Sequence, residues 1–240
     1  MVIESMSVVG IDGCSSGWFA VEKTGSGECH YGQFETIQNV WERFEEAERM
    51  LIDIPIGLPA DGERQCDGEA RDRLSCRGSS VFTTPCREAI EASNHEAASE
   101  RQAERTGKRV SVQAWSLAPK MRNVNEFLRN TEDAQRVVQE SHPELCFYAF
   151  NHRNPIAYSK NTKRGRKRRK NVLSEQYAEI CELYGDALNE HLRKDVARDD
   201  VLDAFVLAAA AAEDELRSLP EETNASDGEL PMEILYPHPR

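Results

Sequence analysis

Residues 8–15 of this 240-residue chain read VVGIDGCS, an apolar run that ends by setting a carboxylate, Asp12, between two glycines. A solvated turn accounts for the pattern, and so does a metal site. Other segments place acids at comparable spots. Asp53 closes the apolar run MLIDIP, Asp200 and Asp203 stand three apart in RDDVLDAF, and Glu144 follows a strand-like stretch in ESHPEL. The C-terminal ends of strands are where open sheets build ligand sites, which suits Asp12 and Asp53. A spacing of three puts Asp200 and Asp203 on one helical face. Asp199 is accounted for as a cap at the positive helix end. Asp203 lies beyond the cap beside Leu202, Val206 and Leu207, so it needs a partner to stay ionised. Glu144 reads either as a turn residue after Pro143 or as a further ligand. Several carboxylates in one cleft repel each other and take up protons unless a hard cation holds them ionised, which implies magnesium or manganese. Two such ions about 4 Å apart activate water and stabilise the leaving oxygen of an in-line phosphodiester displacement. Asp12 would be the central ligand, with glycines that let metals and a phosphate approach the backbone.

These acids must be positioned by ordinary elements. SVVGID, WFAVEK and ECHYGQF, separated by Gly/Ser turns, predict three antiparallel strands. IQNVWERFEEA places Val40, Trp41 and Phe44 at helical spacing, and MLIDIP then reads as a buried central strand that stops at Pro55. Residues of about 58–135 are polar and rich in helical pattern, with a stop at Thr106-Gly107, and predict a helical insertion forming a cap. RVVQESH (136–142) resumes a strand, HPEL turns the chain, and Gln176 to Leu192 carries an apolar stripe of Tyr177, Ile180, Leu183, Tyr184, Ala187 and Leu188. A last helix begins near Asp199. A tail of about 219–240 holds a polar linker and a short strand, MEILYP. The expected architecture is a single α/β domain spanning 1–240, with a mixed sheet of three antiparallel strands followed by helix–strand units.

Composition narrows the function classes. With 39% hydrophobic and 30% charged residues, the chain has the profile of a folded protein. Its longest apolar stretch, Ala204 to Ala212, is too short for a bilayer, and the N-terminus lacks a secretory pattern; no membrane partner and a cytoplasmic location are expected. The seven cysteines are odd in number, scattered and without a C-x-x-C pair, so neither a disulfide framework nor zinc is favoured. The formal net charge is −12 and only eight residues are lysine, a balance suited to concentrated salt and repellent to nucleic acid over most of the surface. One segment departs from it. TKRGRKRRK (162–170) carries seven basic residues in nine: Lys163, Arg164, Arg166, Lys167, Arg168, Arg169 and Lys170. It reads as a loop that either is simply solvated or contacts nucleic-acid phosphates.

The motifs GIDGC-x-x-GW, IDIPIGLP, R-x-CD-x-x-AR, RGSSVF-x-x-P-x-R, APK, HPEL, SK-x-T and DDVLDA together resemble domain-of-unknown-function family 429, described as predicted ribonuclease H-like nucleases. The resemblance runs from about Val9 to Pro237. It implies a ribonuclease H-like fold and a metal-dependent nuclease. By position, Asp12 matches the first-strand acid, Asp53 the acid ending the fourth strand, and Asp200 with Asp203 the last-helix acids, with Glu144 as an extra ligand. Polar residues of the motifs, Arg87, Lys120, His142 and Lys160, are either surface ion-pair members or groups that hold phosphate and orient water. Ser15, where the family often has proline, and VFTTP, in place of a more proline-rich version, alter loops but none of the proposed ligands.

Two other functions compete. A non-catalytic ribonuclease H-like scaffold would bind nucleic acid or protein without needing clustered acids. An actin- or sugar-kinase-like phosphotransferase also begins with an acid near glycine, but it calls for a duplicated domain and a second glycine-rich phosphate loop, and this sequence has neither.

Overall fold

The computed structural model describes residues 7–176, 180–222 and 229–238. Strand β1 (Val8–Cys14) pairs antiparallel with β2 (Gly17–Lys23), which pairs antiparallel with β3 (Cys29–Phe34). The β1–β2 turn needs Gly17: its φ is +134°, and a Cβ there would sit 2.1 Å from the Phe34 carbonyl oxygen. Helix α1 (Ile37–Phe44) is capped by Thr36, whose side chain accepts from the Asn39 N–H, and buries Ile37, Val40 and Phe44. It returns the chain to β4 (Arg49–Ile52), which runs parallel to β1 with Ile11 opposite Ile52. Asp12 and Asp53 therefore leave the sheet side by side, and the Asp53 N–H donates to the Ile11 carbonyl at 3.0 Å.

The expected insertion is helical: α2 (Gln65–Leu74), a 3-10 turn (Ser75–Ser80), α3 (Arg87–Ile90), α4 (His95–Thr106), α5 (Val112–Asn130) and α6 (Glu132–Val137). Gly107 ends α4 in the left-handed conformation, as the Thr106-Gly107 stop predicts. The insertion is more than a cap. Met121, Val124 and Leu128 of α5 pack with Val9, Ile11, Met50 and Ile52, so α5 and α1 cover one face of the sheet. Asn125 of α5 donates to the Pro55 carbonyl and accepts from the Gly57 N–H, which fixes the loop that follows Asp53.

Strand β5 (Val138–Glu140) is shorter than the expected 136–142 because α6 takes its start, and it runs parallel to β4 with Ile52 opposite Glu140. HPEL is not a turn. It starts helix α7 (Pro143–Phe150): the His142 imidazole accepts from the Glu144 N–H, and proline occupies the first turn, where its missing N–H costs nothing. The basic segment is not a loop either. It opens helix α8 (Lys163–Gln176), where the Thr162 hydroxyl accepts from the Gly165 N–H. Helix α9 (Ile180–Glu190) occupies most of the expected 176–192 helix; Tyr177 lies outside the described residues. Helix α10 (Arg198–Ala211) crosses the second face of the sheet. It approaches so closely that a Cβ on Gly10 would meet the Ala208 nitrogen at 2.1 Å and the Ala204 oxygen at 2.2 Å, which explains the run of alanines. Strand β6 (Leu216–Leu219), which the sequence pattern did not suggest, pairs antiparallel with β7 (Ile234–Pro237), and a Ser141–Leu235 bridge ties this ribbon to the end of β5. The main sheet order is β3-β2-β1-β4-β5.

Candidate functional site

A cavity of about 400 Å³ opens where β1, β4 and β5 end, and Asp12, Asp53, Glu144, Asp200 and Asp203 all line it. The placement follows from the topology: parallel strands β1, β4 and β5 end at the same edge, and the start of α10 lies across it. Asp12 is buried, and its Oδ1 accepts from the Gly13 N–H at 2.8 Å. Burial first, then the charges of Asp53 and Asp203, push its carboxyl well above the usual carboxylate range. Asp53 is also raised, again mainly by burial, with His142 and Lys160 pulling the other way.

Asp203 is 1% exposed, and burial pushes its carboxyl up to about 7 despite the Lys160 ammonium. Lys160 Nζ donates to Asp203 Oδ2 at 2.6 Å and in return is held charged to higher pH. This pair supplies the partner that Asp203 required. Asp200, rather than Asp199, caps α10: its Oδ2 accepts from the Ala197 N–H at 2.9 Å. Asp199 lies 3.9 Å from Lys160.

Glu144 lines the cavity but is committed elsewhere. Its Oε1 forms an ion pair with Arg169 Nη2, a guanidinium with no exposed surface. Arg169 also donates to the Tyr158 and Gly165 carbonyls, so it joins α8 to α7 from inside and offers nothing to an external phosphate. Lys163, Arg164, Lys167 and Arg168 do face solvent, while Arg166 and Lys170 are half-buried. Arg87 is not at the cavity. It reaches the Leu58 carbonyl and Glu229 in a separate groove. Lys120 lines the cavity, donates to the Gly17 carbonyl at 2.6 Å and lies over the Trp18 ring; burial lowers its pKa. His142 and Lys160 are both at the cavity.

A buried ion network that no sequence motif announced lies in the cavity wall. Arg64 donates to both oxygens of Glu140, at 2.6 and 2.7 Å, and to Asp67 Oδ1 at 2.6 Å. Glu140 Oε2 also accepts from the Ile56 N–H, and Asp67 Oδ2 from the Thr84 N–H. Two acids share one guanidinium, and their titrations separate. Burial pushes Glu140 up to about 7, whereas for Asp67 the Arg64 charge and hydrogen bonds outweigh burial and lower it. Glu140 could have been found: it ends an apolar strand as Asp53 does, in register with Ile52.

Among the described residues, no three Asp, Glu, His or Cys side chains are drawn together as metal ligands are. The donor set nevertheless suits a hard cation. Asp12, Asp53 and Asp203 are oxygen donors from three segments, each raised by burial and by neighbouring acids, so added positive charge would relieve all three.

The β3-β2-β1-β4-β5 order, with a closing helix on β1 and acids at the ends of β1 and β4, defines an α/β protein of the ribonuclease H-like fold. Residues 10–225 match the family described as "Protein of unknown function (DUF429)", and the chain belongs to that family. No curated protein matches the chain, and no solved structure does.

Proposed function

We propose that this protein is a divalent-metal-dependent nuclease that hydrolyses phosphodiester bonds of nucleic acid. The observation that carries the reading is the convergence of Asp12, Asp53 and Asp203 on one cavity, each raised by burial and charge repulsion. Such clustering of strained acids in a cleft is characteristic of functional sites. Asp12, Asp53 and Asp203 would hold magnesium or manganese, with Asp200 beside them at the start of α10. The metal, when bound, supplies an activated water and charge stabilisation for the leaving oxygen. His142 Nδ1 accepts from the Glu144 N–H, so in the neutral ring the proton sits on Nε2, which can orient water or phosphate. Lys160 exchanges its contact with Asp203 for the anionic substrate.

The exposed basic face of α8 would guide that substrate. Gly165 brings α8 against the Ser159 carbonyl, so the helix starts next to the segment of Ser159, Lys160 and Asn161 that lines the cavity. A helix that begins with Lys163, Arg164, Arg166 and Lys167 sets cations at its positive end, where they lower its stability. A phosphate backbone would offset that penalty.

The test is cleavage of single-stranded and duplex DNA and RNA with manganese or magnesium, comparing the wild type with Asp12→Asn and Asp203→Asn. The reading expects metal-dependent cleavage that falls at least about a hundredfold in either variant; equal rates would overturn it. The Lys160–Asp203 pair favours a second reading, a scaffold whose acids are neutralised internally. That scaffold would bind nucleic acid and show no manganese site by calorimetry.

A further inference from the structure

The cavity wall contains a further cation that the proposed chemistry has not used. Arg77 lies in the 3-10 turn Ser75–Ser80 and lines the cavity with Ser79 and Ser80. Its side chain is 17% exposed, and its nearest acid is Glu144, at 3.7 Å, already held more closely by Arg169. That separation is too long for a hydrogen bond. Arg77 Nε is buried without a partner, and among the described residues its guanidinium makes no hydrogen bond. The other cavity cations are engaged: Arg64 by Glu140 and Asp67, Lys160 by Asp203, and Lys120 by the Gly17 carbonyl. A guanidinium whose buried Nε lacks an acceptor, and whose ion pair is long and shared with Arg169, has donors left for an anion in the cavity.

The backbone holds this arginine in place. Ser75 has φ +48°, an uncommon conformation for a residue with a side chain, and it turns the chain sharply off α2. A Cβ on Gly78 would lie 2.7 Å from the Arg71 carbonyl oxygen, so glycine is required for the turn to pack on α2. Next to it, the His142 Nε2–H makes a long 3.4 Å hydrogen bond to the Ser80 carbonyl, an acceptor that a phosphate oxygen in the cavity would replace.

We propose that Arg77 is the oxyanion-holding residue of the cavity, gripping a phosphate group with its planar fork, with His142 Nε2 as a second donor. The assignment rests on the reading of the ligand as a nucleic-acid phosphate. It does not require that the protein cleave it.

The experiment is calorimetric titration of thymidine 5′-monophosphate into the full chain with magnesium chloride, alongside a separate manganese titration. Arg77→Gln should weaken nucleotide binding at least about tenfold, with manganese affinity unchanged and the melting temperature not lowered. Arg77→Lys should restore part of it, keeping the charge but losing the fork, and Arg87→Gln should leave it intact. Wild-type binding absent up to about 10 mM, or unaffected in Arg77→Gln, would overturn the proposal. Manganese binding with Arg77-indifferent nucleotide binding removes this inference alone. Arg77-dependent nucleotide binding without a manganese site removes the metal reading alone. Should Arg77→Gln fail to fold, phenylglyoxal labelling of the wild type decides: the nucleotide should protect Arg77, and undiminished labelling would overturn the proposal.

Discussion

Asp12 and Asp203 are held at protonation states that an isolated carboxylate would not adopt. Asp203 titrates near 7 in the native chain against about 4 unfolded, so between those values the native state holds a proton that the unfolded state lacks. A metal must displace that proton, so manganese affinity should rise with pH up to at least about 7. Calorimetry from pH 5 to 8 checks this, and a pH-independent affinity would contradict it. Lys160 is charged in both states over that window and adds no slope. Asp12 is likewise raised, mainly by burial, so ionising it lowers metal-free stability as pH rises above the unfolded carboxylate value. Asp12→Asn removes that penalty: in EDTA at pH 8 it should gain about 1 kcal/mol, or ~2–4 °C, and at pH 4 nothing. Urea unfolding at both pH values reads the difference. Asp12, Asp53 and Asp203 were legible from sequence because strand ends and an apolar helix surround them. Glu144 and Arg169 were not, because their mutual burial depends on how α7 and α8 pack. Even so, Gly165, Arg169, Val172 and Leu173 are buried at helical spacing, a stripe that the surrounding charge obscured.

At the scale of elements, the site depends on α10 lying directly on β1. Gly10→Ala would drive a Cβ into the α10 backbone, so the helix must move. Overpacking typically costs about 1–3 kcal/mol and occasionally more; backbone clashes this close put Gly10→Ala at the upper end, so urea unfolding should show a large loss or no folded protein. Removing one partner of the buried Arg169–Glu144 pair, by Arg169→Ala, should cost about 3–5 kcal/mol, whereas removing exposed charge from the first turn of α8 should cost no stability. Replacing Lys163, Lys167 and Arg168 with glutamine should instead flatten the salt dependence of oligonucleotide binding, by a slope of about 3; an unchanged slope would remove α8 from the interface. The three-strand meander, α1 and β4 were readable from alternation, turns and helical spacing. Pro119 inside α5, and the polar composition around it, disguised a helix that covers half the sheet. HPEL resembled a turn because the same residues that turn a chain also start a helix.

Across the whole molecule, a net charge of −12 pushes the folded chain apart and repels nucleic acid except near α8. Salt should therefore act in opposite directions on two observables. Raising potassium chloride should raise the melting temperature by screening self-repulsion and weaken oligonucleotide binding by competing for phosphates. A melting temperature that falls with salt would contradict this balance. Among the described residues, no helix is long and apolar enough to cross a membrane. The central claim is that the cavity acids bind a hard cation, and anomalous diffraction from crystals soaked in manganese near neutral pH tests it most directly. One or two peaks among Asp12, Asp53, Asp200 and Asp203, with Lys160 turned away from Asp203, is the result expected. A cavity with no peak and the Lys160–Asp203 pair intact would contradict the account.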